Sequence, residues 1–500
     1  MWISESEKPL LTAIGNLNFT NPFTPERLEL EKTILGPACR SYGRVWNMHS
    51  ATASAQSNVE RIKEISEQTA CRLRKRLDCP TVLPTEEERD LYEPVVLYHL
   101  FEKYRGAMSE RMLADPEETA YPVYRKFLED YHYFMNRPGR TLPSIYTPEK
   151  TFAMYFQIHR AFYHIFDFIA GSTLEAGALR AVIWQSIFSS DIRRYHRVLY
   201  RRMNSITTLI TGESGTGKEL VARAIALSGY IPFHAENCRF EAAYPACFKP
   251  VQLSAMPQTM LESELFGHRK GAYTGALSDR TGYLEECPFC GSVFLDEIGE
   301  INAETQVKLL RVLQTRRFQR LGDSSERAFQ GKVIAATNRD LHQACTEGAF
   351  RSDLYYRLCA DTVTTVPLRN LIHGESGELL HFVRTLSERI LGREESELFA
   401  PEAVQWICDH LGAEYPWPGN VRELEQCVRN LIIRGSYRPA EPPGKEKLLE
   451  TLLGNCGLTA EELLTRYLTV LYAQEKSYVR TAERAGLDRR TVRARLTRQA

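Results

Sequence analysis

The segment at residues 212–219 constrains this chain more than any other, because it reads Gly-Glu-Ser-Gly-Thr-Gly-Lys-Glu between two contrasting patterns. An apolar run at 206–211 precedes it, and apolar residues at helical spacing follow it at 220–225. This order predicts a strand, a glycine-rich loop and a helix, which is the context of a phosphate-binding loop. Backbone N–H groups and the helix N-terminus can converge there on phosphate oxygens, and Lys218 can reach the β- and γ-phosphates. We predict that a nucleotide contacts Gly212, Glu213, Ser214, Gly215, Thr216, Gly217, Lys218 and Glu219.

Five apolar runs with the character of strands alternate with helical stretches in the middle of the chain. The strands are predicted at 206–211, 250–254, 292–296, 331–336 and 361–366. Such alternation predicts a mainly parallel sheet that is covered by helices. Residues 1–160 are instead rich in aromatic residues and helix formers, which predicts a mainly helical N-terminal region.

Polar side chains follow two of the predicted strands. Asp296 and Glu297 end the run at 292–296, and Asn338 follows the run at 331–336. In a nucleotide site Asp296 would hold magnesium, Glu297 would orient and polarise the attacking water, and Asn338 would lie beside the γ-phosphate. The alternative for the carboxylates is a solvated strand end, and Asn at such a place is more often a turn residue.

Three arginines are further candidates for contact with phosphate. Arg351 and Arg357 flank a short helical pattern whose apolar face is Leu354 and Leu358. Charge that develops on a transferred phosphate favours an arginine from a neighbouring subunit, although a pair of solvated arginines is the alternative. Arg422 opens a predicted helix and could reach the same phosphates.

A second glycine-bounded loop lies at residues 271–276. It reads Gly271, Ala272, Tyr273, Thr274, Gly275 and Ala276. An aromatic residue between flexible glycines, with no local core to join, favours docking on a partner. The alternative is a turn whose aromatic ring packs back on its own domain.

The C-terminal residues predict a helix, a turn at Gly486 and a second helix. The apolar seam between the helices consists of Ala482, Ala485, Leu487, Val492 and Leu496. The residues left for DNA phosphates and major-groove edges are Arg489, Arg490, Thr491, Arg493 and Arg495. A charged, solvated helix is the alternative.

Composition adds limits on partners and compartment. Lys and Arg together number 63, as do Asp and Glu, so the charge of the whole chain predicts no partner. The start shows no signal-peptide pattern, and no apolar run approaches the roughly 18 residues that a membrane span needs. Twelve cysteines without a framework spacing fit reduced thiols in a cytoplasm. We expect a cytoplasmic protein that has no membrane partner.

In combination these motifs resemble those of the sigma-54-dependent transcriptional activators, or bacterial enhancer-binding proteins, of the AAA+ class. The loop at 212–219 has that family's form, including Glu219 where most phosphate-binding loops carry Ser or Thr. The segments that match in order are 262–276, 294–298, 336–341, 350–358 and 417–424. The last helices resemble a Fis-type helix-turn-helix, so the resemblance covers about 165–500.

The resemblance implies a ring, expected to be a homo-hexamer, with ATP bound between neighbouring subunits. Lys218 and Asp296 would hold phosphate and Mg, Glu297 would activate water, and Arg351 and Arg357 would act across the interface. Hydrolysis would drive Tyr273 and Thr274 of this GAYTGA loop against sigma-54. That movement would remodel the closed complex of the sigma-54 RNA polymerase holoenzyme while the chain is bound to double-stranded DNA at an upstream site.

The resemblance also implies a fold, and this sequence differs from the family's usual pattern at two positions. We expect an α/β AAA+ core, a parallel sheet with helices on both faces, at 161–366 and a helical lid at 367–435. A mainly helical N-terminal domain at 1–160, for which regulation is a candidate role, precedes them, and a linker at 436–457 leads to a helix-turn-helix domain at 458–500. Gln252 stands where the family usually has Asn, and Tyr273 where most members have Phe. The alternative function is a DNA-binding AAA+ regulator, either a repressor or a remodeller of another partner, that does not act on sigma-54.

Overall fold

The structure is a computed structural model of the chain. It describes residues 2–40, 57–78, 84–137, 140–141, 144–171, 173–372, 377–439 and, with gaps at 466, 469–470, 473–474 and 476, residues 464–497. Residues 1–435 form one compact unit and residues 436–500 form a second. Most of the predicted linker at 436–457 lies outside the described residues, as do residues 458–463 and 498–500.

The centre of the first unit is a parallel sheet. The strands of the described residues are β1 (Asn136–Arg137), β2 (Arg140–Thr141), β3 (Thr208–Thr211), β4 (Phe233–His234), β5 (Arg239–Phe240), β6 (Phe248–Gln252), β7 (Ser292–Asp296), β8 (Arg317–Phe318), β9 (Arg327–Ala328), β10 (Lys332–Thr337) and β11 (Asp361–Thr364). Five of them pair in parallel in the order β11–β3–β10–β7–β6. Every residue of β10 is buried, as expected for a strand at the middle of a sheet covered on both faces.

The predicted mainly parallel sheet is therefore confirmed, with shifted strand ends. The first predicted strand begins at Thr208 and the last ends at Thr364. The strand predicted at 250–254 covers 248–252 instead, because residues 253–255 turn as a short 3-10 helix.

Helices cover the sheet and make up the rest of the unit. The first eight are α1 (Lys8–Asn16), α2 (Pro25–Leu35), α3 (Asn58–Leu77), α4 (Glu86–Ala114), α5 (Tyr124–Met135), α6 (Pro148–Phe168), α7 (Leu174–Phe188) and α8 (Ile192–Arg197). Those of the α/β part are α9 (Lys218–Leu227), α10 (Gln258–Phe266), α11 (Tyr283–Glu286), α12 (Ala303–Thr315), α13 (Leu341–Thr346) and α14 (Ser352–Leu358). Those that follow it are α15 (Leu368–Ile372), α16 (Glu378–Leu391), α17 (Arg393–His410) and α18 (Asn420–Arg434).

Helix α6 joins the N-terminal helices to the α/β part. It starts where the Thr147 hydroxyl accepts a hydrogen bond from the N–H of Lys150, with Pro148 in the first position. The fully buried Arg160 donates to the carbonyls of Leu227 and Gly229 at 2.6 Å, so α6 holds the C-terminal end of α9. The expected division at residues 160–161 falls inside this helix, and a separate domain at 1–160 stays a prediction.

The second unit contains the two C-terminal helices that the sequence predicts. They are α19 (Tyr478–Ala485) and α20 (Arg489–Thr497). Gly486, at φ 65°, ends the first helix, because this left-handed conformation is easy only for glycine. Asp488 then starts the second by accepting hydrogen bonds from the N–H groups of Arg490 and Thr491, both at 2.9 Å. Ala482 and Val492 are buried between them, which confirms the apolar seam.

Within the ranges that the structure describes, no helix combines the length and the apolar character needed to cross a bilayer.

Candidate nucleotide site

The glycine loop connects β3 to α9 in the order that the sequence predicts. Gly215 and Gly217 have φ values of 77° and 85°, which side chains rarely allow. Lys218 opens α9, and its ammonium donates to the carbonyls of Gly212 at 3.0 Å and Glu213 at 2.9 Å. Partial burial lowers the pKa of Lys218, while the Asp296 and Glu297 carboxylates oppose that shift. The loop therefore places a cation within the electrostatic reach of the acidic strand end.

The two carboxylates lie at the carboxyl end of β7. Burial raises the pKa of Asp296, and the Glu297 N–H, which donates to Asp296 Oδ1 at 3.0 Å, opposes the rise. Glu297 has φ 57°, a left-handed conformation that is costly for a residue with a side chain. Such strain is concentrated at functional sites, and it turns the chain sharply at this strand end.

Sheet order brings Asn338 and Gln252 beside these carboxylates. Strand β10 lies between β3 and β7, so Asn338 follows the strand that separates the glycine loop from the acidic pair. Gln252 pairs in register with Asp296, and its amide lowers the pKa of that carboxyl, while its Nε2 donates to Ser254 Oγ at 3.4 Å. The longer amide at 252 thus lies near the proposed magnesium ligand.

A cavity of about 480 Å³ joins these groups. Its polar lining includes residues 214–219, Gln252, Asp296, Glu297, Asn338 and Arg422, together with Asp167, Thr385, Arg389 and Glu425. This volume is within the range of small-molecule sites, which is about 300–1,000 Å³. One wall is apolar and was not predicted; it consists of Phe168, Ile169, Ala170, Leu179, Val366, Leu371, Phe382, Leu386 and Val421.

The start of α18 docks on the glycine loop through Asn420, a residue that was not predicted to belong to the site. The fully buried Asn420 donates its amide N–H groups to Ser214 O at 3.0 Å and Glu213 Oε2 at 3.1 Å. Its amide oxygen accepts the N–H of Leu368 at 2.9 Å. A Cβ added to Gly215 would lie 2.3 Å from the carbonyl oxygen of Gly419, so only glycine permits this approach.

Charge strengthens the same contact. Arg369 donates to both carboxylate oxygens of Glu213, at 2.8 Å for one of them. This ion pair, together with the hydrogen bond from Asn420, lowers the pKa of Glu213 to about 2. Arg422 Nη1 lies 3.4 Å from Ser214 Oγ, and its contact with phosphates stays a prediction.

Arg351 and Arg357 do not line the cavity of their own chain. Arg351 precedes α14 and is paired with Asp353 at 2.8 Å, while Arg357 is exposed on that helix. Within the residues described, the structure therefore leaves both arginines outside the site that the other candidates form.

The loop at 271–276 is a surface turn. Gly271 and Gly275 have φ values of 82° and 103°, and a hydrogen bond of 2.9 Å from Gly271 N–H to Ala276 O closes the turn. Tyr273 is 40% exposed, yet its ring lies edge-on against His268 with ring centroids 5.1 Å apart. Its hydroxyl is 3.5 Å from Ser263 Oγ. His268 therefore supports part of the ring, Thr274 is exposed, and docking of Tyr273 on a partner stays a prediction.

In the C-terminal unit the candidate DNA-contacting residues differ in their exposure to solvent. Arg489, Arg490 and Arg493 are exposed on α20. The hydroxyl of Thr491 is hydrogen-bonded to Asp488, so it contributes to the start of the helix. Arg495 is half-buried.

The parallel sheet, the glycine loop and the acidic end of β7 together define an AAA+ fold. Residues 187–377 match the family of the Sigma-54 interaction domain. This part of the chain, which carries the glycine loop, Asp296, Glu297 and Asn338, is therefore similar to the Sigma-54 interaction domain.

Two relatives are similar to about half of this chain. The DNA-binding transcriptional regulator NtrC of Rhizobium meliloti (strain 1021) is 40% identical over 244 residues, which is 49% of this chain and 46% of NtrC. The sigma54-dependent transcriptional activator SfnR of Pseudomonas putida is 43% identical over 234 residues, 45% of this chain and 57% of SfnR. The matched region thus spans about half the length of these relatives.

A solved structure is also similar, though weakly. NtrX from Brucella abortus in complex with ATP is 22% identical over 76% of this chain and 81% of that chain, with a TM-score of 0.41. The family assignment does not rest on it.

Proposed function

We propose that the protein hydrolyses ATP and uses the energy to activate transcription by the sigma-54 RNA polymerase holoenzyme. The observation that supports this most is the cavity, which brings Lys218, Asp296, Glu297 and Asn338 together in a sigma-54 interaction domain. The same domain presents the exposed Thr274 at a glycine-bounded turn. A cytoplasmic location follows from these proposed partners.

The roles in hydrolysis follow from position. Lys218 and the N–H groups of residues 214–219 bind the phosphates, and the apolar wall takes the base. Glu297 orients and polarises the attacking water, while Asn338 contacts the γ-phosphate. Gln252, in register with Asp296, lowers the pKa of the carboxylate that faces the phosphates.

The residues present fit a magnesium ion. Asp296 is a half-buried carboxylate whose pKa is raised by burial, so a bound cation would stabilise its charged form. Its oxygens are ligands that Mg²⁺ prefers, and the ion would neutralise charge on the phosphates when bound.

The positions of Arg351 and Arg357 favour an assembly of several subunits over a single active subunit. Both are solvent-accessible cations of the same α/β part, and neither lines the cavity of its own chain. We infer that each reaches the nucleotide of a neighbouring subunit in a ring, and we expect this ring to be a homo-hexamer.

Contact with sigma-54 is assigned to Tyr273 and Thr274, and contact with DNA to α20. The glycines at 271 and 275 have no atom near the place of an added Cβ, so the turn has room to move when the site changes state. Arg489, Arg490 and Arg493 offer cations to phosphates, which is the sequence-independent part of DNA binding. Thr491 and Arg495 remain candidates on the same helix.

The deciding experiment separates ATP hydrolysis from the use of its energy in promoter opening. Thr274→Ala should leave ATP turnover near that of the parent chain and abolish open-complex formation at a sigma-54 promoter. Thr346→Ala, at an exposed threonine outside the loop, is the matched control and should open the promoter normally. Unchanged promoter opening by Thr274→Ala would overturn the assignment and favour an ATPase that acts on another partner.

A further inference from the structure

A buried arginine holds the backbone that forms one wall of the nucleotide cavity. Residues 168–170 line the cavity where α6 ends, and residues 168–171 are called the wall segment below. Arg180, on α7, is 4% exposed, and the described residues that line the cavity do not include it. Arg180 can therefore act on a bound nucleotide only through other residues.

The guanidinium binds the wall segment at two carbonyls. Arg180 Nη2 donates to Ile169 O and to Gly171 O, both at 2.6 Å, and Nε donates to Ile169 O at 3.1 Å. These two carbonyls lie on either side of Ala170 in the chain. Because a guanidinium is planar and its donors form a fixed fork, the bonds set both the position and the orientation of the segment.

The wall segment is also packed closely between α7 and α16. A Cβ added to Gly171 would lie 3.3 Å from Ala176 Cβ and 3.3 Å from Glu378 Oε2. Burial lowers the pKa of Arg180 to about 10, and the carboxylate of Glu378 opposes this shift. The guanidinium is therefore charged near pH 7, and its hydrogen bonds to the carbonyls are charge-assisted, which makes them the stronger kind.

Ala170 is the residue that this arrangement leaves for a ligand. It is half-buried and lines the cavity, and its N–H and C=O have no hydrogen-bond partner among the described residues. Adenine carries an amino group where guanine carries a carbonyl oxygen. Backbone groups that are held in place can distinguish the two bases, because a mismatched donor or acceptor stays unpaired.

We propose that Arg180 is a positioning residue of the nucleotide site: by fixing the wall segment, it lets the backbone of Ala170 select adenine over guanine. This role rests on the proposed function, because it needs a nucleotide in the cavity.

The test compares phosphate release by the full chain from ATP and from GTP. The parent chain should prefer ATP by about tenfold or more in kcat/KM. Arg180→Met removes the guanidinium and should raise KM for ATP about tenfold while kcat stays within about threefold, because binding lost far from the reacting phosphate appears in KM. KM for GTP should change by less than about threefold, so the preference for ATP falls.

Two further variants separate positioning from general stability. Arg180→Lys keeps the charge but replaces the planar fork by one ammonium, so its preference for ATP should lie between those of the parent chain and Arg180→Met. Arg316→Met is the matched control, because Arg316 also donates to two carbonyls, Gly331 O at 2.9 Å and Asn204 O at 2.5 Å, and does not line the cavity. It should melt at a lower temperature than the parent chain but keep the same preference for ATP.

An unchanged preference for ATP in Arg180→Met would overturn this role, as would an equal loss of preference in Arg316→Met or a parent chain that uses ATP and GTP equally. Should Arg180→Met fail to fold, as its thermal melting would show, Arg180→Lys decides, and a preference equal to that of the parent chain would overturn the role. Failure of the parent chain to release phosphate from either nucleotide would instead contradict the proposed ATPase activity itself.

Discussion

The contact between α18 and the glycine loop yields a prediction whose size can be worked from the structure. Asn420→Ala removes the two hydrogen bonds to the loop, at 3.0 and 3.1 Å, and the one from Leu368 N–H at 2.9 Å. A typical hydrogen bond contributes about 1 kcal/mol net, so three amount to about 3 kcal/mol. Asn420 also has φ 52°, a conformation that Asn tolerates better than Ala.

Because α18 and the loop enclose the same cavity, most of this loss should appear in nucleotide affinity. A loss of about 3 kcal/mol corresponds to roughly a 100-fold weaker Kd for a fluorescent ATP analogue, followed by anisotropy. Asn430→Ala, later on α18, removes only an amide that bonds to Gln426 O within the same helix, and is the matched control. A Kd within about threefold of the parent chain would show that the contact does not support the nucleotide site.

Two other predictions concern the nucleotide site, and a third concerns the buried His159 of α6. Lys218→Ala should abolish nucleotide binding, since it removes the ammonium of the glycine loop; normal ATP turnover by this variant would refute the site. Arg351→Ala chains should be inactive alone but regain phosphate release when mixed with Lys218→Ala chains, because each supplies what the other lacks; no recovery at any ratio would refute action across an interface. Burial lowers the pKa of His159 from 6.5 to about 3, so the stability it contributes is complete above 6.5 and is lost as pH falls towards 3. His159→Phe should therefore reduce the slope of unfolding free energy against pH between about 6 and 4 by roughly 1.4 kcal/mol per pH unit, whereas the exposed His132→Phe should leave it unchanged; equal slopes would contradict the assignment.

The parts of the site that the sequence predicts are those held in short segments. The loop at 212–219 and the carboxylates at 296 and 297 each lie at the end of one strand, so local pattern is enough to place them. The shared edge of a parallel sheet then brings them together, and the sheet itself follows from the alternation of strands and helices. The place of Asn338 cannot be predicted from local pattern alone, because only the strand order shows that it lies between the glycine loop and the two carboxylates.

The rest of the site depends on contacts distant in sequence. The apolar wall combines residues 168–170 with Leu371, Phe382 and Leu386, and none of these segments carries a motif. The structural importance of Asn420 appears only when α18 meets a loop about 200 residues earlier.

We propose that the nucleotide site governs engagement of sigma-54 by the loop at 271–276. The most direct measurement is the affinity of the purified chain for sigma-54 in the presence of ATP analogues, ADP and no nucleotide, with Tyr273→Ala compared in each state. We predict that engagement depends on the nucleotide state and is lost in Tyr273→Ala. Failure of the parent chain to engage sigma-54 in every state would contradict the account.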